Sequence, residues 1–412
     1  MGFVLMHPTG NANVRAILRG MLDQNLLAEF NTTIAVSPSN SFLKFIPAKF
    51  REELLRRSFD APNNKIHLHP FREAARQILP KLGFSSITKH EVGWASLDAI
   101  YQSFDAAVAK RLPSLKKKYN IYGVYAFEDG ALETFRSAKV LGIKCIYDLP
   151  IAYWETGRKL MQEEAQRLPE WAITLAGGIQ DSDKKLERKT QEMEHADVVV
   201  GPGDFVLNSL PEWARSKQLI MSPFGSPVTA YSDNDKNERR ADQPLRILFV
   251  GSMGQRKGLG DLFNAIKQLK RKDVELVVLG SLLAPMDFYR TQLSDFVYES
   301  SRPHEQVLQL MRSCDVFCLP SIVEGRALVM QEAMSQGLPL IITPNTGGAD
   351  LVVEGETGFL IPIRSPIAIA EKIAWFADNR DKLPSMGEKA RKHAAHYTWA
   401  NYASRVIQGI TS

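Results

Sequence analysis

The sequence predicts an α/β protein built from two doubly wound, mostly parallel sheets. Three observations predict it. Short continuous apolar runs such as Phe3-Val4-Leu5-Met6 and Leu276-Val277-Val278-Leu279 alternate with helical stretches, as strands covered on both faces do. Twice, such a run leads through a glycine loop into a helix, once at Gly10 and once over residues 251–258, which is the first unit of a doubly wound sheet. Between the two, residues 223–244 shift to Gly, Pro, Ser, Asp, Asn and Arg, the composition of a linker. A chain of 412 residues gives each half enough length for its own core. Domains are expected at 1–222 and 223–395.

In order, the first half predicts strands at 3–6, 33–36, 66–69, 121–127, 143–147, 198–200 and 219–221. Helices are expected over 14–28, 97–110, 132–141, 153–168, 183–195 and 205–210. Ligands gather at the carboxyl ends of strands in such sheets, so Gly10, Asn11 and Asn13 are site candidates; equally, Thr9, Asn11 and Asn13 serve to turn the chain and cap the helix. Glu128-Asp129-Gly130 and Asp148-Leu149-Pro150 also follow directly on strands. The second half predicts strands at 246–250, 275–279, 316–320 and 340–342, and a turn feeding a strand at 354–361. Its helices fall at 259–269, 306–312, 327–336, 367–377, 382–397 and 399–410.

Composition is that of an ordinary globular chain, with 44% hydrophobic and 24% charged residues. Three cysteines at irregular positions imply no disulfide framework, and Cys314 and Cys318, an even number apart in a strand, read as core. A basic region before an apolar core is missing at the N-terminus, and no apolar run reaches the ~18 residues of a spanning helix. A cytoplasmic protein is expected. The net charge of +5 is concentrated at 116–118 and 184–189, usually a solvated face, with an anionic acceptor or an inner membrane leaflet as the sharper reading. No nucleic acid is expected as a partner.

The chemistry centres on Pro320-Ser-Ile-Val-Glu324-Gly325-Arg326-Ala327-Leu328 and Glu332. A strand ends there and a helix begins, so the N–H groups of Gly325, Arg326, Ala327 and Leu328 form an anion site. Eight residues at helical rise separate Glu324 from Glu332 by roughly 12 Å, beyond the roughly 5–9.5 Å of a hydrolase pair. The spacing suits two ends of a sugar nucleotide held across its diphosphate, although such a pair alone is more often a strand end and a solvated helix face. The loop Phe249-Val-Gly251-Ser252-Met-Gly-Gln-Arg256-Lys257-Gly258 carries two cations at a helix start, suited to holding a diphosphate and the charge that grows as it departs. The next strand ends in Gly280, not in an acid that would hold a dinucleotide ribose.

Together, Phe249-Val-Gly251, Arg256-Lys257-Gly258, Pro320-Ser321, Glu324-Gly325, Glu332-Ala-Met334, Gly337-Leu-Pro-Leu-Ile341 and Glu354-Gly-Glu-Thr-Gly-Phe-Leu360 resemble glycosyltransferase family four. The resemblance implies a GT-B fold, two Rossmann-like domains facing across a cleft, with residues 396–412 crossing back onto the first. It implies a retaining, metal-independent transfer from a nucleotide sugar, without a further cofactor. The acceptor would be a glycan, a lipid-linked or a small molecule, in polysaccharide or glycolipid synthesis. Arg256, Lys257 and Glu324 would be catalytic, gripping the diphosphate and the sugar, and Glu332 would hold the ribose. Gly10, Ser252, Gly325, Arg326, Ala327 and Leu328 would complete the donor site. Asn11, Asn13, Glu128, Tyr147 and Asp148 would face the acceptor. The chain departs from the family in having Ser252 for an Arg, Arg326-Ala327 for Phe-Gly, and Tyr147-Asp148 for His-Asp, which leaves no obvious histidine in the acceptor cleft. A nucleotide-sugar epimerase and a non-catalytic sugar-nucleotide-binding protein are the alternatives on the same fold.

Overall fold

The computed structural model describes residues 2–37, 40, 45, 48–175, 179–226 and 243–412. The first sheet comprises β1 (Gly2–Met6), β2 (Leu27–Thr32), β3 (Ile66–Leu68), β4 (Ile121–Phe127), β5 (Lys144–Asp148), β6 (Val198–Gly201) and β7 (Gln218–Met221) in the order β3-β2-β1-β4-β5-β6-β7. The second comprises β8 (Leu245–Val250), β9 (Val274–Leu279), β10 (Val297–Glu299), β11 (Val316–Leu319), β12 (Leu340–Ile342) and β13 (Gly358–Leu360), ordered β10-β9-β8-β11-β12-β13. Every pairing is parallel. Strand order reverses between β1 and β4 in one sheet and between β8 and β11 in the other, and a ligand crevice opens at each such reversal.

The strand expected at 33–36 is instead β2. The Ala12–Asp23 helix stops five residues earlier than expected, where Asn25 turns left-handed at φ 56°, and Leu27-Ala-Glu-Phe-Asn-Thr32 is freed to pair with β1. Strand β10 and the helices Ala48–Leu55, Phe71–Ile78 and Met286–Gln292 are not anticipated. Of the linker expected at 223–244, residues 227–242 lie outside the described residues.

The halves are not cleanly partitioned in space. The final helix, Trp399–Thr411, packs along the Ala12–Asp23 helix of the first domain. Its Tyr402 hydroxyl donates to buried Asp148 at 3.0 Å. The two chain crossings lie side by side, joined by the Ser226 N–H donating to the Tyr397 carbonyl at 3.1 Å. In the opposite direction, Trp171 follows the Trp154–Arg167 helix into the second core, stacking edge-on against Phe263, Phe288 and Tyr289. Beneath it runs a buried ionic network. Glu164 accepts from Arg167 at 2.6 Å, Gln255 at 2.7 Å and Arg364 at 2.5 Å, and Arg167 also grips Asp261 at 2.7 Å.

Candidate active site

At the second reversal, the loop after β8 and the loop after β11 lie against each other. Gly258 takes φ +72°, and a Cβ there would sit 2.0 Å from the Pro320 carbonyl, so only glycine lets the two loops meet. The Ile322 N–H donates to the Arg256 carbonyl at 2.9 Å. The result is that Lys257 Nζ and Arg256 Nη1 reach the same oxygen of Glu324, at 2.6 and 2.9 Å. Burial lowers the Lys257 pKa; the Glu324 carboxylate opposes that shift, and the neighbouring Arg256 adds to it. The loop is anchored from the first domain: Gln255 N–H donates to Thr174 Oγ1 at 3.0 Å, and its amide to Glu164. Gln255 and Glu164 were not singled out in the sequence, since a glutamine between glycines and a mid-helix glutamate carry no signal of their own.

The anion site before the Leu328–Ser335 helix is smaller than expected. The Ala327 N–H donates to the Thr346 carbonyl at 3.2 Å, which removes Ala327 from the donors on offer. Among the described residues, the N–H groups of Gly325, Arg326 and Leu328 take no such bond. The Arg326 side chain is fully buried and clamped: it pairs with Asp350 through both terminal nitrogens, donates to the Gly347 carbonyl and Gln331, and lies over the Tyr397 ring. The Arg326 charge is therefore neutralised inside the domain. Ser252 is half-buried in the loop after β8. Glu332 is desolvated, which raises its pKa against the opposing pull of His304, whose Nδ1 is 3.9 Å away.

At the first reversal a cavity of about 440 Å³ opens between the domains. His7, Asn11 and Asn13 line it from beyond β1, Glu128 and Asp129 from beyond β4, and Leu328 and Trp399 from the far side. Gly325 closes its inner edge, where a Cβ would sit 1.7 Å from the Pro150 carbonyl. Gly10 is near, but its N–H is already bonded to His7 Nδ1 at 2.9 Å, so it is not offered to a donor phosphate.

Three expectations for this cleft are corrected. Tyr147 is buried in the domain core with its hydroxyl on Glu192 at 3.2 Å. Asp148 is equally buried, accepting from Tyr125 at 2.6 Å and from Tyr402, with its pKa pushed up to about 7 by burial. Neither faces an acceptor: on opposite faces of the sheet, Tyr147 is covered by the helices at Leu132–Val140 and Asp183–His195, and Asp148 by the final helix. Third, the cleft does hold a histidine. His7 accepts N–H bonds from Thr9 and Gly10 on Nδ1, so its proton sits on Nε2, and burial with the nearby Arg57 charge holds its pKa at about 3. A histidine directly after the first strand was the available signal. The basic run at 184–189 also turns inward: Lys189 lies 3.4 Å from Glu128 and 3.6 Å from Asp129, and Lys185 pairs with Asp98 and Asp181.

Residues 231–393 match the model of the family described as glycosyl transferases group 1. A D-inositol 3-phosphate glycosyltransferase of Corynebacterium glutamicum is 31% identical over 209 residues, 45% of this chain and 50% of the relative. The enzyme of that name from Corynebacterium efficiens is 26% identical over 318 residues, 68% of this chain and 74% of the relative. The chain thus spans between half and three-quarters of these relatives' length. Among solved structures, sucrose-phosphate synthase from Thermosynechococcus elongatus superposes with a TM-score of 0.65 at 15% identity, over 99% of this chain and 98% of the other. Anabaena Alr3699/HepE in complex with UDP gives 0.62 at 14% identity, over 100% of both chains. These similarities establish the GT-B fold along the whole chain.

Proposed function

We propose that this chain, whose residues 231–393 belong to the glycosyl transferases group 1 family, moves a sugar from a UDP- or GDP-linked donor to an acceptor hydroxyl with retention, in glycan, exopolysaccharide or glycolipid synthesis. The observation that carries the reading is the convergence of Arg256 and Lys257 on one carboxylate oxygen of Glu324. Two cations against one carboxylate leave an excess positive charge beside a helix N-terminus, and a diphosphate balances it. Once phosphate oxygens engage the cations, Glu324 is released to accept hydrogen bonds from sugar hydroxyls. Glu332, desolvated on the same helix, suits the ribose.

In the transfer, the bond from the anomeric carbon to the diphosphate oxygen breaks with its electron pair going to phosphate. The acceptor oxygen bonds to the same face, and its proton passes to the leaving phosphate. Arg256, Lys257 and the helix N-terminus stabilise the charge that develops there, so the protein need supply no base. Mixing the protein with UDP- and GDP-sugars and hydroxyl acceptors tests this: nucleoside diphosphate release should rise with acceptor. Interconversion of the donor sugar with no release would favour the epimerase instead.

A peripheral contact with an anionic membrane is favoured by one surface. Phe71, Ile78, Leu82, Phe84, Val92 and Trp94 are exposed within 24 residues, far more than scattered surface apolars. Arg72, Arg76, Lys81 and Lys89 accompany them, the composition of an interfacial segment. No described helix is long and apolar enough to cross a membrane. Co-sedimentation with phosphatidylserine vesicles but not with phosphatidylcholine vesicles is expected, and its loss in Phe71→Ser with Trp94→Ser.

A further inference from the structure

We infer that Gln255 is a positioning residue for the transfer, and that Thr174, from the first half of the chain, holds it so that Arg256 and Lys257 meet the leaving diphosphate. The inference rests on the transferase reading and adds to it two residues that need touch no substrate.

Gln255, Arg256 and Lys257 form a single tight turn, so what fixes the first residue fixes the two cations after it. Gln255 is fully buried, and each of its polar groups is used. Its N–H donates to Thr174 Oγ1 at 3.0 Å, and its carbonyl accepts from the Gly258 N–H at 2.8 Å. Its amide nitrogen donates to Glu164 at 2.7 Å and to Asp261 at 2.9 Å, and its amide oxygen accepts from the Gly260 N–H at 3.0 Å. Carboxylates on one side and an N–H on the other leave the amide a single orientation.

Thr174 is itself held. Its hydroxyl donates to the Trp171 carbonyl at 2.7 Å, which turns an oxygen lone pair to the Gln255 N–H. Trp171 sits in the second core, 1% exposed, so Thr174 is fixed to the second domain although it precedes the linker. The same segment braces the facing loop. Met161 and Leu175 share a buried cluster with Ile322 and Val323, which lead directly to Glu324. One stretch of the first half thus supports both loops whose charged side chains converge. Removing the Thr174 hydroxyl would leave a buried N–H without an acceptor, a cost that the turn relieves by moving. A displacement of ~1 Å in a positioned group costs up to ~100-fold in rate.

The test compares the intact parent with Thr174→Val, which keeps the shape and loses the hydroxyl, and with Thr174→Ser, which keeps the hydroxyl. At saturating donor, Thr174→Val should lower kcat by about tenfold or more, and Thr174→Ser by less than about twofold. Positioning acts through the cations, so in a Lys257→Ala background Thr174→Val should change kcat by less than about threefold. Calorimetric titration with UDP and with GDP reads the same site without turnover, because the free diphosphate carries the charge that the departing group develops. Whichever nucleotide the parent binds should bind Thr174→Val about fivefold more weakly, or weaker still. Should Thr174→Val not fold, Gln255→Met is read in its place. Parental kcat or parental nucleotide affinity in Thr174→Val overturns the inference. So does an equal loss with and without Lys257, or a Thr174→Ser as impaired as Thr174→Val, since either would mean support of the fold alone. A parent that binds nucleotide but shows no acceptor-stimulated release sinks the transferase reading alone, and the affinities then decide the inference. Binding of neither nucleotide overturns both.

Discussion

Each sheet reverses its strand order once, and the two crevices hold their charges differently. In the second domain, two cations share one carboxylate, and the balance is positive. In the first, Lys189 sits between Glu128 and Asp129, and the histidine is neutral beside the Arg57 charge. The same topology thus supports an anion site on one side and, on the other, a cleft where carboxylates meet a lysine and a neutral histidine. What differs is which side chains the loops bring to the opening, so fold alone assigns neither role. Glu324 and Asp148 make the point at single-residue scale. Both are buried acids, Asp148 the last residue of β5 and Glu324 in the loop after β11, but Glu324 meets Lys257 and Arg256, whereas Asp148 meets two tyrosine hydroxyls.

The sharpest way to break that contrast is to remove the charge at the positive crevice. Lys257→Ala and Glu324→Ala are each expected to reduce transfer a hundredfold or more, since both act on charge that grows in the transition state. Turnover of Lys257→Ala at saturating donor is the measurement; a rate near that of the parent would remove Lys257 from the chemistry.

The same contrast explains what the sequence disclosed. The positive crevice is built from loops within about 110 consecutive residues, and Gly258, Arg256, Lys257 and Glu324 show in their own loops as glycine and charge between a strand and a helix. Even there, the fate of Arg326 depended on Asp350, 24 residues on, and no local pattern reports such a pairing. The other crevice draws His7, Glu128 and Lys189 from three separated segments. Tyr147 and Asp148 looked equally well placed because alternation along a strand gives a face, not what covers it. The final helix covers Asp148 and the Asp183–His195 helix covers Tyr147, and both dockings are tertiary facts.

A second test concerns how the positive crevice is held. Glu164 reaches from the first domain to Gln255 in the cation loop. Glu164→Gln removes charge from a fully buried acceptor of three donors and is expected to cost about 2 kcal/mol, in the range for hydrogen bonds to charged groups. Urea denaturation reads the loss. An unchanged midpoint would mean that the network contributes nothing net.

Glu332→Ala should act more gently and on a different parameter. A ribose contact made equally before and during the reaction raises the donor KM, here by about tenfold, and spares kcat. A fall in kcat at constant KM would place Glu332 in the chemistry beside Glu324.

The smallest effect isolates the buried acid that is not functional. Burial raises the Asp148 pKa to about 7 from 3.8, so the folded protein holds this proton more tightly than the unfolded chain. The associated stability is complete below about pH 4 and is lost as pH rises toward 7. Asparagine keeps an oxygen for the hydroxyls of Tyr125 and Tyr402 and has no proton to lose, so Asp148→Asn should not share that decline. The variant's melting temperature relative to the parent should therefore be higher at pH 8 than at pH 5, by about 2–4 °C for each kcal/mol. Glu192, with its pKa pushed up to about 8 by burial, and neutral His7 titrate in both proteins and cancel in the difference. An identical difference at the two pH values would mean that Asp148 does not change protonation between them. Donor titration should be unaffected by the substitution, because this carboxyl touches the final helix and not the cleft.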